Sequence, residues 1–210
     1  MAILWTLFRR LLRFFKLNCG FYGDFLMALT EAPICDFGWS APGFVLPGVD
    51  DRTWSLEQCM GERGLVVMFI CNHCPYVKAI QSQLVNDMRE LALYGIGGVA
   101  IMSNDPADYP EDSFENMGKV AAEWQYPFPY LYDETQEVAK AYGAVCTPDF
   151  FGFNKGYQLQ YRGRLNASGR QPAPPGVRRE LVEAMRQVAE IGKGPVEQTA
   201  SIGCSIKWKG

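Results

Sequence analysis

Leu65-Val66-Val67-Met68-Phe69-Ile70-Cys71-Asn72-His73-Cys74-Pro75-Tyr76-Val77-Lys78 runs from six apolar residues into two cysteines and then into a helical pattern. An apolar run of that length, rich in β-branched residues, predicts a strand buried on both faces. Two thiols with two residues between them, at the start of a helix, can close a small disulfide without moving the backbone. The pair can therefore cycle between dithiol and disulfide. Free amides at the helix N-terminus and the positive end of its dipole are expected to hold Cys71 as a thiolate, the form that attacks a disulfide. Cys74, one turn inside, is then the resolving thiol.

His73 is the only histidine of the chain, so any imidazole chemistry belongs here. A protonated ring beside Cys71 would lower that thiol's pKa further and make the disulfide more oxidising. The plainer alternative is an exposed turn residue with no charge role. The Cys-x-His-Cys spacing resembles bacterial disulfide oxidases more than the Cys-Gly-Pro-Cys of thioredoxin.

Downstream, Val77, Ile80, Leu84, Met88 and Leu91 recur at helical spacing, with Pro75 in the first turn and Gly95 at the stop. Val99 to Met102 form the next buried strand, parallel to the first. Ser103-Asn104-Asp105 falls at the carboxyl end of that strand, the same end as the cysteines, which makes Asn104 a candidate site-lining residue. Turn formation before Pro106 is the alternative. Pro110-Glu111-Asp112 is expected to open a second helix carrying Phe114, Met117, Ala121 and Trp124 on one face. Asp133 is expected to cap a third helix, with Val138, Ala139 and Tyr142.

Thr147-Pro148 precedes an aromatic-rich strand, at a position where such an architecture would carry a cis peptide beside the thiols and so exclude metal from them. Asn154-Lys155-Gly156 then turns the chain into a partner strand, Gln158 to Tyr161. Residues 163 to 176 read as a surface loop, and Val177 to Ile191 as the last helix. Upstream, Phe44 to Leu46 and Thr53 to Leu56 read as an N-terminal hairpin, and Cys59 as a packed hydrophobe.

At 210 residues, 48% hydrophobic and 20% charged, the chain suits one globular domain. A net charge of −3 offers no electrostatic footprint for nucleic acid. Seven cysteines, an odd count without regular spacing, argue against a secreted disulfide scaffold. The expected organisation is an amphipathic extension over residues 1–31, a domain over 32–192, and a tail over 193–210 packed on it. Within residues 1–26, Arg9, Arg10, Arg13 and Lys16 share one helical face against an apolar remainder, the pattern of a helix lying on a membrane surface. An uncleaved targeting segment, or a true start at Met27, fits equally. The location expected is cytoplasmic, or membrane-associated or exported if the extension is genuine.

The order of hairpin, strand, Cys-x-x-Cys, helix, strand, helices, Thr-Pro, hairpin and helix looks like a thioredoxin-like α/β fold, a central mixed sheet flanked by helices. Residues 33 to 210 resemble more narrowly the peroxiredoxin-like branch of the alkyl hydroperoxide reductase and thiol-specific antioxidant superfamily, the redoxins. Four stretches carry the resemblance: Ala41-Pro42-Gly43-Phe44-Val45-Leu46-Pro47-Gly48, Phe69 to Lys78, Ser103-Asn104-Asp105 with Tyr109-Pro110-Glu111-Asp112-Ser113, and Ile202-Gly203-Cys204-Ser205-Ile206-Lys207-Trp208-Lys209. It implies a thiol-disulfide oxidoreductase fold with Cys71 as lead thiol. Two departures stand out. The peroxiredoxin Pro-x-x-x-Thr/Ser-x-x-Cys pattern fits neither register, meeting Val67 and Cys71 in one and Gly64 and Met68 in the other. Thioredoxin's buried acid on the strand before the motif has no counterpart among Val66, Val67 and Met68.

The leading expectation is thus thiol-disulfide exchange, with Cys71 as nucleophile, Cys74 resolving, and His73 assisting. Asn72, Pro75, Asn104, Thr147 and Pro148 line the site, and the substrates are protein or small-molecule thiols and disulfides. A thiol peroxidase resolved by Cys74 or Cys204 is the alternative, and a metal module of Cys71, His73, Cys74 and Cys204 a more distant one. No cofactor and no bound metal are expected. Cys204, in the apolar tail, reads as a buried structural thiol by default and as a third redox partner if the tail folds back; Cys146 would lie near the pair.

Overall fold

The computed structural model describes residues 29–210. In chain order its elements are β1 (Leu29–Glu31), β2 (Val45–Pro47), β3 (Thr53–Ser55), α1 (Leu56–Cys59), β4 (Gly64–Phe69), α2 (Pro75–Leu93), β5 (Ile96–Met102), α3 (Phe114–Trp124), β6 (Tyr130–Tyr132), α4 (Glu137–Tyr142), β7 (Cys146–Thr147), β8 (Asp149–Asn154), β9 (Leu159–Gly163), α5 (Glu180–Ile191) and β10 (Ile202–Ser205). A five-stranded sheet runs in the order β6-β5-β4-β8-β9. Its β6, β5 and β4 are parallel, whereas β8 and β9 run antiparallel. This is the mixed sheet flanked by helices that the element order predicted.

Strand β4 is central and buried at every residue, as its unbroken apolar run requires. Alternation sends Val66 and Met68 to one face, against Leu84 and Met88 of α2 and Leu181 and Met185 of α5. Leu65, Val67 and Phe69 take the other, among Phe44, Leu56, Tyr142 and Phe151. The strand is thereby locked between two cores, and its carboxyl end delivers Cys71 to a fixed place. Gly95, at φ +76°, closes α2 in a conformation that glycine adopts without a Cβ penalty.

The hairpin β2–β3 forms antiparallel, and the Asp133 carboxylate accepts from the Val138 and Ala139 amides at the start of α4. Other boundaries differ from expectation. Pro110–Asp112 is a separate 3-10 turn, and α3 starts only at Phe114, capped by the Ser113 hydroxyl, which accepts from the Asn116 amide. The last helix begins at Glu180 rather than Val177, because the chain first turns through a Val177 amide to Pro174 carbonyl bond.

Leu29–Glu31, assigned by composition to the extension, pairs instead with β10 in a second sheet, ordered β1-β10-β7. The tail is therefore the middle strand of a sheet rather than a passive covering. The amphipathic segment over residues 1–26, Cys19 and Met27 lie outside the described residues. Among the described residues, no helix is long and apolar enough to cross a membrane.

Candidate active site

The sulfur side of the site is built by three elements. Strand β4 ends just before Cys71, Pro75 is the first residue of α2, and the extended Cys74 between them occupies the helix cap position. Thr147, at the end of β7, meets both thiols. Its hydroxyl lies 3.2 Å from Cys71 Sγ, and its carbonyl oxygen 3.2 Å from Cys74 Sγ, accepting whenever Cys74 carries a proton. The Thr147–Pro148 peptide is cis, as the sequence led us to expect.

A third sulfur completes the group. Cys204 faces Thr147 across the β10–β7 ladder, and its Sγ is 2.9 Å from Cys74 Sγ. That is hydrogen-bond contact, well outside the roughly 2.05 Å of a disulfide. Cys71, Cys74 and Cys204 are 2%, 0% and 2% exposed, so a substrate reaches a sulfur only by a narrow approach or after local opening.

The charge distribution differs from the sequence expectation. Burial drives the Cys71 thiol well above its usual pKa, reinforced by its hydrogen bond to Cys74 and by the nearby Asp112 carboxylate, against relief from Thr147. Cys74 is depressed: burial opposes its ionisation, but S–H donors from Cys204 and Cys71 and the backbone N–H groups of Val77 and Cys204 outweigh it. Of the two thiols, Cys74 is thus the one whose ionisation its surroundings favour. The donors come from two elements: the Val77 amide in the first turn of α2, and the thiol and amide of Cys204 in the tail. Cys204 is correspondingly pushed up by its hydrogen bond to Cys74 and by burial.

The imidazole side is organised by Asp112, which sequence reasoning missed by reading it as the first turn of a helix. Its Oδ1 accepts from the backbone amides of Asn72 (2.7 Å) and His73 (3.1 Å). Its Oδ2 meets His73 Nδ1 at 2.6 Å and accepts from Asn104 Nδ2 at 2.8 Å. Asp112 is fully buried; burial alone would raise its pKa, but these donors, His73 foremost, hold it below the ordinary value. It is the buried acid that seemed missing from β4, supplied by another element.

His73 is consequently neither an exposed turn residue nor a free cation for Cys71. Its side chain is 7% exposed, its ring stacks on Tyr109 with centroids 4.3 Å apart, and its Nδ1 lies 3.7 Å from Cys71 Sγ but much closer to Asp112. The carboxylate offsets any positive charge the imidazole brings. His73 Nε2 is buried and finds no hydrogen-bond partner among the described residues. Asn72 is fixed by donating to the Glu111 carbonyl and accepting from the Tyr130 hydroxyl. Asn104, held by Asp112 on one side, accepts from the Lys207 amide of the tail on the other.

Cys146 is buried beside this group, with Sγ 3.8 Å from the Pro148 carbonyl, and burial pushes its thiol up. Cys59 is likewise buried and raised, to about 12. Among the described residues, the side chains close enough to share a metal ion are Cys71, His73 and Asp112, with ligand atoms within 4.8 Å of one another. This donor set replaces the Cys71, His73, Cys74 and Cys204 combination suggested by the sequence, since Cys74 and Cys204 point their sulfurs at each other.

A strand-end thiol pair, a facing Thr-Pro turn and a mixed sheet define a thiol-based oxidoreductase of thioredoxin fold. The chain belongs to the AhpC/TSA family, whose model matches residues 37–165. It is similar to the crystal structure of an uncharacterised conserved protein from Geobacillus kaustophilus, at 48% identity and TM-score 0.81, covering 87% of this chain and 97% of that one. A hypothetical protein from Sinorhizobium meliloti is 36% identical with TM-score 0.79, over 86% of this chain and 98% of that one. At 17% identity and TM-score 0.51, a thiol:disulfide interchange protein of the thioredoxin family from Chlorobium tepidum shares the fold over 63% of this chain and 89% of its own. No curated protein matches the chain.

Proposed function

We propose that this protein catalyses thiol-disulfide exchange through Cys71 and Cys74. The observation that carries the reading is that one residue, Thr147, contacts both sulfurs, its hydroxyl at Cys71 and its carbonyl oxygen at Cys74, while the surroundings raise the pKa of Cys71 and lower that of Cys74. Cys71 keeps the residual exposure of the pair and meets the substrate. Its proton passes to Cys74 as Cys71 attacks a substrate disulfide, giving a mixed disulfide and one released thiolate. That thiolate takes the proton back from Cys74 when Cys74 attacks Cys71, freeing the second substrate thiol and leaving a Cys71–Cys74 disulfide. The substrate is reduced by two electrons and the pair is oxidised by two.

The test is the reduction potential of the pair, by equilibration with glutathione, in the wild type and in His73→Ala. A defined two-electron couple that includes Cys74 supports the reading, and failure of Cys71, Cys74 and Cys204 to form any bridge among them at any glutathione ratio defeats it. Because Asp112 balances His73, the potential should move little in His73→Ala, by less than about 30 mV, the equivalent of 1.4 kcal/mol for a two-electron couple.

One observation favours a second reading. The Thr147 hydroxyl, 3.2 Å from Cys71 Sγ, supplies from another element the hydroxyl that a peroxidase needs beside its thiol. Cys71 would attack one oxygen of hydrogen peroxide, its own proton going to the leaving hydroxide to make water, and become a sulfenic acid; the Cys74 thiol would then attack that sulfur and expel a second water in forming the disulfide. Stopped-flow consumption of peroxide that falls more steeply in Thr147→Val than thiol-disulfide exchange does would select this reading.

A further inference from the structure

Cys74 Sγ is the middle atom of a three-sulfur group. It accepts from Cys71 on one side and lies 2.9 Å from Cys204 Sγ on the other, although Cys204 is 130 residues away in sequence. Closing that contact to a disulfide asks for a displacement of about 0.9 Å, within what a side-chain rotation supplies. The position is enforced by backbone pairing rather than by side-chain packing alone. Cys204 is opposite Thr147 in the β10–β7 ladder and opposite Leu29 in the β1–β10 ladder, and a Cβ built on the adjacent Gly203 would run into the Thr147 carbonyl. A strand held so tightly keeps its thiol at the redox pair.

We propose that Cys204 is a third redox partner, which takes over Cys74 from a Cys71–Cys74 disulfide and so returns Cys71 as a free thiol. This rests on the exchange reading above. In the step, Cys204 loses its proton and attacks Cys74 Sγ, the Cys71–Cys74 bond breaks as the Cys74–Cys204 bond forms, and Cys71 leaves with the electron pair and takes up the proton that Cys204 gave. No external oxidant or reductant is consumed. Two consequences follow. The oxidising equivalent is stored away from the residue that meets substrate, leaving Cys71 ready to engage a second molecule. The stored disulfide also ties β10 covalently to the start of α2. The residues after β10 hold Asn104 through the Lys207 amide, and Asn104 in turn holds Asp112, so the redox state of the tail reaches the His73–Asp112 pair.

The experiment is disulfide mapping of the full chain. Reduced protein is treated with one equivalent of diamide, quenched in acid, denatured, alkylated at its remaining free thiols and digested with trypsin without reduction. Cys71 and Cys74 share the peptide ending at Lys78, so their bridge leaves one peptide lighter by two hydrogens. A bridge to Cys204 joins that peptide to the one ending at Lys207, and fragmentation between Cys71 and Cys74 tells which of them is linked. Wild type is expected to give the Cys74–Cys204 species with Cys71 alkylated. In Cys204→Ser that species is lost and Cys71 stays blocked in the bridge to Cys74. In Cys71→Ser the Cys74–Cys204 bridge still forms. If wild type yields only Cys71–Cys74, the relay is overturned and the exchange reading stands. If none of the three thiols bridges, both fall.

Discussion

All five strands of the large sheet lie between residues 64 and 163, whereas the three strands of the small sheet come from residues 29–31, 146–147 and 202–205. The large sheet is built on buried, largely apolar strands, β4, β5 and β8, that are recognisable locally, and it fixes Cys71 by ending a strand beneath it. The small sheet has short strands from distant parts of the chain, and it fixes Thr147 and Cys204 by backbone register. The comparison teaches that this protein separates stability from chemistry. One sheet holds the core together, and the other brings the second half of the site to the first.

The largest effect should come from breaking the large sheet. Phe151 is fully buried between Phe69 and Tyr142, with ring centroids 5.7 and 5.6 Å away. Phe151→Ala should cost about 3–5 kcal/mol by urea denaturation, because the cavity in a two-sided core cannot collapse. A loss below about 1 kcal/mol would mean that this sheet does not carry the stability assigned to it.

Next comes the charge buried in the same sheet. Asp149 on β8 is raised to about 6 by burial, with its Arg162 partner 3.2 Å away only partly relieving it. With a folded-state pKa above the ordinary 3.8, the folded state binds the proton more tightly. This group's stabilisation is thus full below pH 3.8 and is lost as pH rises through about 6, on the order of 3 kcal/mol over that window. Asp149→Asn should remove that decline from the pH–stability curve; an unchanged curve would refute the assignment.

The small sheet is probed by Gly203→Ala. The added methyl would push β10 away from the Thr147 carbonyl, costing about 1–3 kcal/mol through overpacking and separating Cys204 from Cys74. The circular dichroism of the large sheet should persist while the oxidised cross-link to Cys204 is lost. Retention of that cross-link at wild-type yield would show that register is not what presents the thiol.

The smallest effect belongs to the imidazole side. Asp112 has the opposite sign from Asp149: its folded-state pKa is lowered, so its stabilisation is present above the ordinary 3.8 and disappears as pH falls through the folded-state value. Asp112→Asn should cost about 1–2 kcal/mol near neutral pH and flatten the acid limb of the curve. It also removes a negative charge that raises Cys71, so the pH midpoint for Cys71 alkylation should move down. A midpoint that stays or rises would exclude electrostatic control of Cys71 by Asp112.

The elements legible in the sequence were those whose signal is local. An unbroken apolar run identified β4, helical spacing identified α2, and the aromatic run after Thr147-Pro148 identified β8. Asp112 escaped because an acidic residue after proline is the ordinary sign of a helix start, and nothing in its neighbours shows a carboxylate turned inward to four donors. The direction of the Cys74 shift was not legible either, because the donors that lower it include the thiol and amide of Cys204, far along the chain.

By itself, then, the sequence determined the central strand, the two cysteines at its end, the helix that follows, and the Thr-Pro turn and hairpin beyond, because each of these is written in contiguous residue types. Tertiary structure alone decided that the surroundings lower Cys74 rather than Cys71, that Asp112 claims His73, and that Cys204 reaches the pair across 130 residues. Those outcomes depend on which donors share a buried space. Strand register and helix start set that sharing to within an ångström, and no single stretch of chain encodes it.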